Sequence, residues 1–104
     1  MITIKVDYNS QGMITGYKVE GHAGLAEAGK DILCAAVSVL TQTPILGLER
    51  HLKSKPHYKV EEATLQVQLD RVDETTQAIL MTMVYGLQDL AEKYPKNVRI
   101  ENER

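Results

Sequence analysis

A single cysteine, Cys34, stands in 104 residues. One thiol cannot close an internal disulfide, and such sparse use fits a reducing compartment. Cys34 and the nearest histidine, His22, lack a third and fourth ligand at any spacing usual for zinc, so neither a metal nor another cofactor is expected. Excess positive charge is missing as well. The net charge is −2, and no overall field draws the protein to nucleic acid or to an anionic membrane. No signal peptide is expected, because Met1-Ile2-Thr3-Ile4-Lys5-Val6 alternates like a strand, and the apolar runs look too short to span a bilayer. These absences together point to the cytoplasm. Glycines 21, 24 and 29 do not follow the spacing of a nucleotide-binding fingerprint, which removes the basis for a phosphate-bearing cofactor. No linker or low-complexity stretch interrupts the chain, and 43% hydrophobic with 25% charged residues is a soluble globular balance. One domain over residues 1–104 is expected.

What is present reads as alternating strand and helix signals. Ile2, Ile4, Val6 and Tyr8 alternate with polar residues, Asn9-Ser10-Gln11-Gly12 is turn chemistry, and a second strand follows. There Met13, Thr15, Tyr17, Val19 and Gly21 share one face, and Ile14, Lys18, Glu20 and His22 share the other. Residues 23–30 are small and loop-like. A helix is expected from Asp31 towards His51, with Ile32, Leu33, Ala36, Val37, Leu40, Ile45 and Leu48 as its apolar stripe. Pro44 should kink or divide it near Thr41, and Gly47 weakens the same region. Pro56 closes this segment. Tyr58 and Val60, then Leu65, Val67 and Leu69, alternate around the turn Glu61-Glu62-Ala63. Asp73 caps a second helix whose apolar side runs from Thr76 to Tyr94, and Pro95 ends it. Val98 and Ile100 make a short last strand before the polar tail Glu101-Asn102-Glu103-Arg104. The order is ββαββαβ, an α+β domain with a mostly antiparallel sheet and two helices packed on it.

The chemistry gathers between Gly21 and Ser38. Asp31 is a favoured N-cap residue, which puts Cys34 in the first helical turn, where unpaired N–H groups and the helix dipole favour an anion. The thiolate is the nucleophilic form of cysteine. A lone cysteine among Ala, Ile and Val is often a small core residue, and a lone histidine at a strand end is often only exposed. The pair means more than either member, because a histidine within reach takes the thiol proton and later protonates the leaving amine. Gly21, Ala23, Gly24 and Gly29 suit a loop that brings the strand end and the helix start together and closes over an extended substrate. Backbone N–H groups at the helix start, that of Cys34 included, are the expected oxyanion donors. Asp31 is either the helix cap or the group that orients His22. Ser38, one turn beyond Cys34, either hydrogen-bonds within the site or bonds back to the carbonyl of Cys34. His51 and His57 fall in the basic run 50–57 and receive no role.

The two-part pattern, Gly21-His22-Ala23-Gly24 followed by Gly29-Lys30-Asp31-Ile32-Leu33-Cys34-Ala35-Ala36-Val37-Ser38, closely resembles the ribosomal-processing cysteine protease family Prp of Firmicutes and their relatives. The resemblance extends over the whole chain in length and element order, and includes Gln42-Thr43 and Leu46-Gly47-Leu48. It implies a protease that removes a short N-terminal extension, rich in apolar and aromatic residues, from the large-subunit ribosomal protein numbered twenty-seven. That cut exposes a mature N-terminus needed near the peptidyl transferase centre. It also implies that Cys34 and His22 are the catalytic residues, that Asp31 matches the family's aspartate before the cysteine, and that the protein is a homodimer. The competing expectation is a non-enzymatic ribosome- or RNA-associated module, with Cys34 in the core and Arg50, Lys53 and Lys55 as its contact surface. A thiol acyltransferase with the same dyad would need a cofactor site that the glycines do not supply.

Overall fold

A computed structural model describes residues 1–21 and 31–103. The elements are β1 (Ile2–Tyr8), β2 (Ile14–Gly21), α1 (Ile32–Arg50), β3 (His57–Glu61), β4 (Thr64–Gln68), α2 (Glu74–Lys93) and β5 (Val98–Glu103). They form a five-stranded sheet in the order β3-β4-β2-β1-β5. Neighbours pair antiparallel except β1 and β5, which run parallel. The expected α+β order therefore holds, and the sheet is mostly antiparallel. The final strand reaches Glu103, so residues 101–103, expected as tail, pair with Lys5, Val6 and Asp7 of β1.

One face of the sheet is covered. Ile2, Ile4 and Val6 of β1, Tyr17 of β2, Leu65 and Val67 of β4 and Val98 of β5 are buried with Leu33, Val37, Ile45 and Leu48 of α1 and Leu80, Met83, Val84 and Leu87 of α2. Alternation placed Ile14 on the face opposite Tyr17, yet both are buried. The register shifts between Asp7 and Tyr8, so that Tyr8 faces Ile14 while Asp7 faces Gly16. The extra residue, Thr15, turns Ile14 back to the core. β4 has ended by this point, and the Gln77 side chain takes the place of a neighbouring strand. Its Oε1 accepts from the Ile14 N–H at 2.7 Å and its Nε2 donates to the Ile14 carbonyl at 2.9 Å.

The helices begin and end as the caps dictate. Asp73 and Thr76 close a reciprocal capping box at the start of α2. A hydrogen bond from the Thr75 hydroxyl, then one from the Thr76 N–H, holds the Asp73 carboxyl below its ordinary value. α1 is not divided at Pro44, which lies buried inside one 19-residue helix. A proline removes one intrahelical bond, and packing outweighs that loss. The Tyr17 hydroxyl donates to the Thr41 carbonyl at 2.6 Å, and the Thr41 Oγ1 donates to the Val37 carbonyl at 2.7 Å. Burial pushes the Tyr17 phenol well above its usual range, so it stays a donor.

Two further expectations about α1 need correcting. Ile32 was placed in its apolar stripe but is 80% exposed. By length and composition alone α1 is also apolar enough to cross a membrane, since no charged residue falls from Ile32 to Leu48. Here it is a core helix of the sheet domain, with Leu33, Val37, Thr41, Pro44, Ile45 and Leu48 buried. At the far end of α2, Tyr94 is exposed and not part of its packed side.

Replacing Gln77 by Ala should strip the Ile14 N–H and carbonyl of their partners. We expect a loss of about 1–3 kcal/mol in urea unfolding with an unchanged denaturant slope.

Candidate active site

Asp31 has extended backbone angles and stands just ahead of α1. Its Oδ1 accepts from the Leu33 N–H at 2.8 Å and from the Cys34 N–H at 3.3 Å, while its carbonyl accepts from the Ala35 N–H at 3.1 Å. The carboxylate is buried and occupies the positive end of the helix, as capping requires. Asp31 is thus the helix cap, while its other open role concerns His22, which lies outside the described residues. The Cys34 N–H, expected to face an oxyanion, is here directed at Oδ1 over a distance beyond the usual range for an amide donor.

Cys34 is half-buried and packs against the edge of the core. It is therefore not the enclosed small hydrophobe of the alternative reading. It lines a cavity of about 300 Å³ with Asp31, Ser38 and Gly21. Ser38 is exposed one turn beyond Cys34, and the hydroxyl that bonds back along the helix at 2.7 Å is that of Thr41.

Gly21 ends β2 in a conformation open to glycine, with φ +93. A Cβ there would come within 2.3 Å of the Met1 carbonyl oxygen, and the Gly21 N–H donates to the Ala63 carbonyl at 3.0 Å. The strand end is thus tied on both sides, and the residue that precedes His22 in the chain lines the same cavity as Cys34. His22, Ala23, Gly24, Gly29 and the rest of the expected loop over 23–30 lie outside the described residues.

Residues that the sequence did not single out also line this cavity. Val60, Glu61, Ala63 and Thr64 come from the β3–β4 hairpin, and they join Gln42, named above as part of the family resemblance, from two turns along α1. Only the pairing of β4 with β2, which sets Thr64 beside Glu20, brings that hairpin to the helix start. No local signal carries this information. His51 is exposed at the end of α1, and the exposed His57 meets Asp70 at 2.7 Å, both away from the cavity lining. Among the described residues no group of three potential metal ligands gathers.

A partly buried thiol in the first turn of a capped helix, lining a cavity at the edge of an α+β sheet, is a setting in which reactive cysteines are found. Comparison with known proteins narrows this. The profile of the family described as cysteine protease Prp matches residues 1–99, and the chain belongs to that family. It is 29% identical over 103 residues to the ribosomal processing cysteine protease Prp of Staphylococcus aureus, covering 96% of this chain and 97% of the relative. A crystal structure of the essential S. aureus Prp with a covalently linked product peptide superimposes with a TM-score of 0.91 at 27% identity, over 99% of this chain and 100% of that one. A Streptococcus mutans protein gives 0.87 at 27% identity, over 99% and 94%.

Asp31→Ala should leave the Leu33 and Cys34 N–H groups without their carboxylate and lower stability by about 1–2 kcal/mol, while Asp31→Asn retains most of it. Urea unfolding of the two variants beside wild type checks this.

Proposed function

We propose that the chain is a cysteine endopeptidase in which Cys34 is the nucleophile and His22 the general base and acid. The observation that carries this reading is the cavity shared by Cys34 and Gly21 in a chain whose family is that of cysteine proteases. The Cys34 thiolate attacks the scissile carbonyl, and the C–N bond breaks as the imidazolium of His22 protonates the leaving amine. Water, deprotonated by His22, then cleaves the thioester and returns the thiol. Asp31 supports the reaction by fixing the helix start, and Ser38 offers a hydroxyl at the same cavity. No cofactor enters any step.

The substrate on this reading is the short N-terminal extension of the large-subunit ribosomal protein numbered twenty-seven. Support comes from the relatives: the S. aureus protein is a ribosomal processing protease, and a further structure of it, with a TM-score of 0.86, holds a substrate peptide. We place the protein in the cytoplasm as a homodimer, with no membrane and no nucleic acid required for cleavage.

A peptide spanning the extension and the mature N-terminus should be cut by wild type, with kcat lowered at least 1,000-fold, of order the loss on removing a nucleophile or its base, in Cys34→Ala and His22→Ala. Mass spectrometry of the fragments checks the site. Equal cleavage by all three proteins would refute the roles of both residues. Salt-sensitive RNA binding without cleavage would select the binding-module reading.

A further inference from the structure

Hydrolysis at the start of a helix creates a difficulty for the enzyme that performs it. When water cleaves the thioester, the thiol is returned, the acyl segment leaves with a new carboxyl group, and that group's proton passes to solvent. The carboxylate forms at Cys34 Sγ, in the first turn of α1. There the unpaired N–H groups and the positive end of the helix dipole hold carboxylates and phosphates without further help. With those amides open, the product would stay.

In this chain they are already taken. Asp31 Oδ1 accepts from the Leu33 N–H at 2.8 Å and from the Cys34 N–H at 3.3 Å. The residue is buried, and it lines the same cavity as Cys34. Glu61, the other acidic residue of that lining, meets Lys59 at 2.9 Å. The described residues around the cavity include no lysine or arginine to hold a product carboxylate. A second carboxylate arriving at Cys34 thus finds its donors occupied and a like charge beside the Cys34 amide. An uncharged peptide group meets no such repulsion. Capping alone does not call for the charge, since Asn and Ser cap a helix about as well as Asp.

Resting on the protease reading above, we propose that Asp31 keeps the enzyme free of its own acid product. Its carboxylate fills the anion position at the helix start. The site therefore accepts a neutral peptide bond and expels the carboxylate into which that bond is converted.

The test uses the released fragment of the extension peptide, with its C-terminus either as the free acid or as the carboxamide. Calorimetry at neutral pH, where the acid is ionised, gives the Kd of each for Cys34→Ala, which binds without turnover. The acid should bind about 10-fold or more weakly than the amide, as two like charges at a partly screened site require. In Cys34→Ala/Asp31→Asn, which keeps a cap oxygen and loses the charge, the acid should bind as well as the amide or better. Cys34→Ala/Asp31→Ser supplies a second uncharged cap should the first fold poorly, and far-UV circular dichroism checks both. A purely structural role of Asp31 would weaken acid and amide alike and leave their ratio unchanged. Equal binding of acid and amide with Asp31 in place, or a ratio that survives in the uncharged variants, overturns the proposal and leaves the protease reading intact. Binding of neither form, where wild type cleaves the substrate, overturns it too, because no retained product then needs to be expelled. Failure of wild type to cut any peptide refutes the protease reading itself.

Discussion

The site rests on one carboxylate. Asp31 Oδ1 accepts from the first-turn amides of Leu33 and Cys34, and this decides where α1 begins and which turn holds the thiol. The helix that follows is pinned to the sheet by Leu33, Val37, Ile45 and Leu48 and by the hydrogen bond from Tyr17 to the Thr41 carbonyl. The thiol is therefore carried by a rigid element, and its position is inherited from the core. Moving the start by one residue would rotate Cys34 by about 100° around the helix and out of its cavity.

The other wall of the site depends on long-range pairing. Gly21 and the β3–β4 hairpin meet Cys34 because β4 lies beside β2 and both end at the same level, with Glu20 opposite Thr64 and the Gly21 N–H on the Ala63 carbonyl. The same arrangement leaves β3 as an edge beyond the reach of α1. Buried core and open edge are two consequences of one geometry. Two helices are enough to cover the central strands of a five-stranded sheet, and among the described residues β3 is left as an edge.

The caps, both hairpins and the helical stripes were legible in the sequence because each is a local signal: Asp31 and Asp73 at helix starts, a short turn at Glu62-Ala63, and alternation in β1 and β4. The face of Ile14 was not, because a single-residue bulge at Thr15 reverses the alternation and nothing in Ile14-Thr15-Gly16 announces it. Of the two outcomes expected, a kink or a division, the division does not occur at Pro44. Its local cost is real, but burial of Thr41, Pro44, Ile45 and Leu48 on the sheet outweighs it. Of the site, the thiol and its cap could be read from spacing. The contributions of Val60 and Thr64 required the strand order β3-β4-β2, which no local pattern encodes, whereas Gln42 follows Cys34 and Ser38 along one stripe of α1.

The account stands on Cys34 as the nucleophile, and trapping the acyl-enzyme tests that most directly. An activated ester of the substrate's acyl segment makes thioester hydrolysis the slow step, so the intermediate accumulates in a burst. Acid quenching, intact-mass measurement and fragment mapping then locate the bound acyl group. One acyl segment per chain, on Cys34 and lost as turnover completes, is the result predicted. A burst with the acyl group mapped to any other residue, or with no covalent species at all, would contradict it.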